Sequence, residues 1–224
     1  MRSFSITDNN KIKRVPLRGH YEHATVYEIL DAGFICHVGF VDNGKPIVIP
    51  MSYGRKANSI YLHGASSARI MNLLASDNSV CLSITHVDGI VVARSMFDTS
   101  VNYRSVVLFG KAVVVPGEKK ADALWHISEH ILPGRWQEVR LPSASELKAT
   151  TVLEVNIEHA SAKIRSGPPD DEVRNLDLPV WAGVIPLKLV ADKPVHDPEL
   201  RSNADVPPSV LASIKKYYSH PFQR

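Results

Sequence analysis

From Phe34 to Tyr53 the chain passes through two runs rich in Val and Ile, Phe34–Val41 and Pro46–Tyr53, parted by Asp42-Asn43-Gly44-Lys45. Asn and Gly tolerate positive φ, so this spacing predicts a β-hairpin. A second turn over Gly54–Asn58 leads to a strand at Ser59–His63, and Val80–Thr85 with Ile90–Ser95 reads as another hairpin about Val87-Asp88-Gly89. Tyr103–Val115 predicts a long strand, with Gly110 marking a bulge or a close backbone approach. Val152–Ile157 and Ala162–Arg165 read as two more strands, and Val180–Val190 as a last strand-like piece. Helical spacing is confined to Glu22–Asp31, with Val26, Ile29 and Leu30 on one side, to Ser66–Ala75, and to Glu118–Leu132, stopped by Pro133-Gly134. Consecutive strands with few helices and no Gly-rich βαβ turn predict a mainly β fold, a small closed or partly closed barrel. Residues 1–19 read as a flexible leader, 20–190 as the barrel domain and 191–224 as a proline-rich C-terminal extension.

Composition narrows the class. Hydrophobic residues are 44% and charged residues 22% of 224, the balance of a soluble globular domain. A net charge of +3, with its densest basic group only Lys11, Lys13 and Arg14, gives no nucleic-acid footprint. The first residues lack a signal peptide's apolar stretch, and no run approaches the ~20 apolar residues that span a bilayer. Cys36 and Cys81 sit in apolar runs without a CxxC, which fits reduced core thiols in a cytoplasmic protein.

Candidate chemistry concentrates between Ile60 and Ala75. Tyr61-Leu62-His63-Gly64 ends a strand at a glycine, Ser66 and Ser67 follow, and Arg69 falls in the first turn of a helix. Helix N–H groups, two hydroxyls and a guanidinium together make a phosphate site. The same residues also suit a plain serine cap with a solvated arginine. Elsewhere, His126-Ile127-Ser128-Glu129-His130 matches the His-x-x-Glu-His zinc pattern on a helix. The match is short and without a further acidic ligand, and an amphipathic helix with Leu124, Ile127 and Ile131 inward explains it, so no metal site is assigned.

From Val15 to Pro186 the order of these pieces resembles the pyridoxamine 5'-phosphate oxidase-like split-barrel flavoproteins, in particular the FMN-binding, nitroimidazole-resistance-like branch. Three motifs carry the resemblance: Tyr61–Gly64 with Ser67-Ala68-Arg69; Asn102-Tyr103-Arg104-Ser105-Val106 running on to Phe109-Gly110-Lys111-Ala112; and Trp181-Ala182-Gly183-Val184-Ile185-Pro186. The resemblance implies a split β-barrel homodimer with FMN at the interface. Ser67 and Arg69 would grip the phosphate beside Gly64, with Ser66 in support because Ala68 stands where the family often has arginine. Arg104 and Ser105 would contact the flavin and Trp181 would cover the pocket. The strand Val48-Ile49-Pro50-Met51-Ser52 would run under the isoalloxazine ring, and His63 would serve as hydrogen-bond donor or proton source close to it. The implied activity is flavin-dependent redox chemistry on a small molecule, a nitro-aromatic among the candidates, with NAD(P)H as a candidate donor. The alternative is a non-catalytic flavin, haem or deazaflavin carrier or redox sensor. Genuine pyridoxamine phosphate oxidation is disfavoured, because Pro194 and Pro198 flank Val195-His196-Asp197 where the oxidases carry arginines.

Overall fold

Strand alternation of this kind leaves one set of side chains to bury, and the chain buries it by rolling the sheet into a barrel. The computed structural model describes residues 2–76, 79–201 and 204–218. Its strands are β1 (Gly19–His20), β2 (Ile35–Asp42), β3 (Lys45–Lys56), β4 (Ser59–Ala65), β5 (Ser79–Val92), β6 (Ser100–Val114), β7 (Thr150–Arg165) and β8 (Gly183–Pro186). Its helices are α1 (His23–Asp31), α2 (Arg69–Ser76), α3 (Lys120–Ile131), α4 (Ala144–Ala149) and α5 (Pro208–Tyr218). Antiparallel neighbours run β7–β4–β3–β2–β5–β6, and β6 pairs back onto β7, so the mainly β sheet closes. Closure removes the unpaired edges that an open sheet would expose. One edge of β5 is divided: β2 holds Cys81–Ser83, while β8 holds Gly89–Val92.

Inward positions such as Val38, Phe40, Leu82, Ile84, Val106, Leu108, Leu153 and Val155 form the core. Helix α1 plugs one end with Val26, Ile29 and Leu30, and α2 plugs the other with Met71 and Leu74. Each such fully buried side chain contributes about 1.5–3 kcal/mol. The last turn of α1 and the residue past its cap are held from three sides: Tyr53 donates to the Leu30 carbonyl at 2.5 Å, His86 Nε2 lies 3.0 Å from the Ile29 carbonyl, and His130 Nε2 lies 2.7 Å from the Gly33 carbonyl. Arg55 adds a two-pronged bond to Asp31. Helix ends leave their final carbonyls without partners, and these side chains supply them.

Helix α3 crosses the outside of the barrel. Gly54 makes that possible, since a Cβ there would stand 2.5 Å from Ile127 Cα and 2.8 Å from the His126 carbonyl. Beneath α3 a second apolar cluster forms from Tyr61, Val115, Ala123, Ile127 and Val152.

Several sequence readings are revised. The stretch expected as a leader packs on the barrel: Phe4 is buried and stacks on His23, and buried Asn10 donates to the Ala160 carbonyl at 3.0 Å. The hairpin expected about Val87–Gly89 is one strand with a bulge there, because Asp88 turns to pair with Arg104 and the ladder with β6 resumes at Gly89. The two strands expected after Val152 are likewise one, β7, with a register shift opposite Phe109/Gly110. Gly54 lies inside β3, so the following turn is confined to Ala57–Asn58. Helix α2 begins at Arg69, which leaves Ser66 and Ser67 in a turn. Among the described residues no helix is long and apolar enough to cross a membrane.

The Gly54 contact gives a stability test. Gly54→Ala should cost about 1–3 kcal/mol by overpacking against the α3 backbone, and so lower the urea midpoint. Gly117→Ala, where a Cβ meets nothing within 4 Å, should leave the midpoint nearly unchanged.

Candidate functional site

The barrel's outward side chains fall into continuous rows. Cross-strand partners place Val48, Gly39, Cys81, Phe109 and His159 side by side, and next to them Pro50, His37, Ser83, Val107 and Ser161. Among the described residues no helix lies over the β3–β2 part of this face: Val48 is 64% exposed, Val41 58% and Ile35 44%. Gly39 has no side chain to break the surface, so the face is flat and apolar with a few polar groups. Burial pushes the Cys81 thiol up, which keeps it protonated at neutral pH.

At one end of this face stands the Ser66–Arg69 turn. Ser66 is spent on structure, its amide bonded to the Ala149 carbonyl at 2.8 Å and its hydroxyl to the Lys148 carbonyl at 3.2 Å. Ser67 is exposed. Arg69 pairs with Asp42 at the end of β2. The Asp42 side chain is only 8% exposed whereas that of Arg69 is 73% exposed. A buried acid therefore orients a guanidinium whose other donors face outward. Five strand rows separate Asp42 from His37, roughly 17 Å at the strand rise.

The site residues expected from the sequence divide by strand parity. Val48, Pro50 and Ser52 face outward, whereas Ile49 and Met51 pack against the core. Ser105 is outward, bonded to the Lys163 carbonyl at 3.3 Å. Arg104 points to the inner rim at the α1 end and holds Asp88 at 2.9 and 2.8 Å. That is the opposite end from Arg69, so the structure does not bring the two arginines together. Trp181 is 66% exposed and folds over Gly183 at the start of β8, beside Val92 and away from Val48. Gly64 is spent on the core side, against Met71.

His63 belongs to a second feature. The β3–β4 ladder ends at Tyr53 opposite Leu62, and one step further Ser52 and His63 stand on the outer face where the strands part. There His63 lines a cleft of about 320 Å³ with Leu124, Ile127, Ile131, Arg135 and Trp136. Its Nδ1 is buried without a hydrogen-bond partner, and burial holds the ring below the usual imidazole range. A hollow of about 280 Å³, lined by Arg140, Glu146 and Thr150, shares the Leu124 and Pro142 walls. Neither the cleft's far wall nor Asp42 carried a local sequence signal, since residues 124–142 meet His63 only through α3.

The His-x-x-Glu-His histidines have separate tasks. His126 stacks on Tyr61 and His130 bonds to Gly33. Among the described residues no group of three His, Cys, Asp or Glu converges to hold a metal ion.

Comparison with known proteins adds the following. A family model described as pyridoxamine 5'-phosphate oxidase matches residues 22–164. The flavocytochrome Anf3 from Azotobacter vinelandii is 35% identical and superposes with a TM-score of 0.87, covering 92% of this chain and 96% of its own. An FAD and heme binding protein from Mycobacterium smegmatis is 31% identical, with a TM-score of 0.85 and coverage of 88% and 97%. A 5-nitroimidazole antibiotic resistance protein from Bacteroides thetaiotaomicron shares the fold, at 22% identity and a TM-score of 0.55 over 65% of this chain and 86% of its own. No curated protein matches the chain.

Burial also sets a pH dependence. Desolvation holds His63, His86 and His126 below the ordinary 6.5 in the folded chain. As pH falls below 6.5, the unfolded chain takes up these protons first, so stability is full above that value and declines through the lowered folded values. The urea midpoint should therefore drop between pH 7.5 and 5.5. A flat or rising midpoint across that window would contradict the burial of these rings.

Proposed function

Because this chain belongs to the pyridoxamine 5'-phosphate oxidase family, we propose that it is a flavin-binding redox protein with the flavin lying along the outer face of β2 and β3. The observation that carries this reading is the flat apolar face of Val48, Gly39 and Pro50 that ends at Arg69, an exposed guanidinium oriented by buried Asp42. A flat ring system gains from apolar side chains against its plane and from a few placed polar groups at its edge. Here Val48 and Pro50 supply the apolar surface, while Ser52, His37 and Ser83 supply polar groups beside it. Ser67 and Arg69 hold the phosphate, and FMN, whose phosphate is terminal, is the flavin assigned. When bound, the flavin supplies the electron transfer, with a small molecule as partner and NAD(P)H as candidate donor. A second copy of the chain covers the exposed Val48, Val41 and Ile35 and makes the homodimer, with the flavin at the interface. Pro194 and Pro198 keep pyridoxamine phosphate itself out of the assignment.

A second cofactor has its own support. The two relatives that match nearly the whole chain are named for haem chemistry as well as flavin, one a flavocytochrome and the other an FAD and heme binding protein.

The purified protein should be yellow and bleach with a nicotinamide reductant. Titration with FMN, FAD and riboflavin then tests the phosphate site. Arg69→Ala should weaken FMN roughly 10- to 100-fold, the loss of one charge-assisted hydrogen-bond pair, and leave riboflavin nearly unaffected. Equal loss for both ligands would remove Arg69 from the phosphate, and no binding of any flavin would sink the reading as a whole.

A further inference from the structure

We infer that the outer surface of β6 and β7, at the α1 end of the barrel, carries a second anion site in which Arg18, Lys163 and Arg165 receive a dianion of the phosphate class. The site lies at the opposite end from Arg69 and stands independently of the flavin reading.

Strand parity collects the residues. Ile164 packs against the core, so Lys163 and Arg165 on either side of it share the outer face of β7, about 7 Å apart along the strand. Ser105 lies opposite Lys163, and Tyr103 lies opposite Arg165. On the other edge of β7, Gly19 pairs with Lys163, which brings Arg18, the last residue of the preceding turn, to the same corner. Ser105 and Lys163 continue the outer rows one step past Val107 and Ser161, so this corner borders the flat face.

Arg165 sets the electrostatics. It is only 6% exposed, and its one side-chain partner among the described residues is neutral. Its Nη1 donates to the Asn102 side-chain oxygen at 2.5 Å, and the Asn102 amide in turn donates to the Gly167 carbonyl at 3.0 Å. This clamp shapes the turn after β7, where Gly167 has a φ of 93°, but it spends one of five guanidinium donors. A buried cation without a carboxylate at hydrogen-bond distance is costly, and a second cation adds to the cost. Burial, and then the charge of Arg18, hold Arg165 below the usual arginine range. Asp170 and the Tyr103 phenol work against this, but Asp170 is exposed and water screens it.

The acids nearby in the chain are committed elsewhere. Asp171 is held by Arg94 at 3.0 Å, Glu172 pairs with Arg174 at 2.5 Å, and Asp88 takes both prongs of Arg104. The side chains of Arg18 and Lys163 have no hydrogen-bond or ion-pair partner among the described residues. Three cations therefore gather about one corner, faced by one screened acid. Their repulsion is relieved by a group that carries two negative charges and several acceptor oxygens, and the phosphate class has both. Tyr103 adds a phenol hydroxyl on the same surface.

The test is calorimetric titration of the full chain with inorganic phosphate and, separately, with methyl phosphate. Both are run on Arg69→Ala protein, so that the phosphate site proposed for the flavin contributes nothing. One phosphate should bind per chain. Adding Lys163→Gln or Arg18→Gln should weaken it about tenfold or more, while Lys119→Gln, exposed beyond the far end of β6, should bind as its parent does. Without phosphate, the Lys163→Gln and Arg18→Gln proteins should keep or raise the parent's urea midpoint, because each removes one of the repelling cations. Binding of both probes supports the site with a phosphate ester as ligand, and binding of inorganic phosphate alone supports it with the free ion. Absence of phosphate binding to the Arg69→Ala protein overturns the inference and leaves the flavin reading to its own titration. Unchanged affinity in both Lys163→Gln and Arg18→Gln overturns it as well. A lowered urea midpoint in both variants would assign these cations to the fold instead of to an anion.

Discussion

A closed antiparallel sheet can bury only one of its two alternating sets of side chains, and the organisation of this molecule follows from what becomes of the other set. Inside, Val38, Leu82, Val106 and Val155 fill the barrel between the plugs of α1 and α2. Outside, parts of the sheet have their own cover. Helix α3 lies over Gly54, Tyr61 and Val152, which it can approach because Gly54 has no side chain. The first residues of the chain lie along β7, anchored by Asn10. Among the described residues the β3–β2 surface about Val48 and the parting of β3 from β4 at His63 stay open, as do stretches of β5 and β6 about Val87, Val101 and Val113. The candidate sites thus lie on parts of the outer face that the fold leaves uncovered.

Much of this was legible in the sequence, and the rest failed for identifiable reasons. Alternation located the strands, but alternation does not say which neighbour a strand will meet. Asp88-Gly89 carries the chemistry of a turn and forms a bulge, because Arg104 on β6 offers Asp88 a partner that no local reading contains. The same limit divided the expected flavin strand. Val48, Pro50 and Ser52 were separable from Ile49 and Met51 by parity, yet which set faces the core depended on β2 and β4. His63 was recognisable as chemistry at a strand end. Its cleft was not, since α3 and the chain to Pro142 reach it from more than sixty positions away.

The two arginines show how exposure sorts similar ion pairs. Arg69 with Asp42 and Arg104 with Asp88 are each an arginine held by an acid from a neighbouring element. The Arg104 side chain is only 12% exposed, so its acid already meets its need and a further anion would have to be desolvated to reach it. In the Arg69 pair the burial is reversed, with the acid inside and the guanidinium outside. Such a pair adds little stability at a surface, but it fixes the direction of a cation that can still receive a phosphate. The sequence motif pointed to both arginines alike, and geometry favours the first.

The C-terminal extension also changes meaning. By composition it is a proline-rich appendage, and the family model stops at residue 164, well before it. Yet Ser209, at the start of α5, holds the Glu138 carboxylate below the usual range by bonding it with both its hydroxyl and its amide. Glu138 in turn sits beside Arg135, which borders the His63 cleft. The polar margin of that cleft is therefore set by residues on both sides of the family boundary. The relative that covers 92% of the chain extends past this boundary, whereas the nitroimidazole-resistance protein covers 65%. The extension thus reaches back to the margin of the His63 cleft through Ser209 and Glu138.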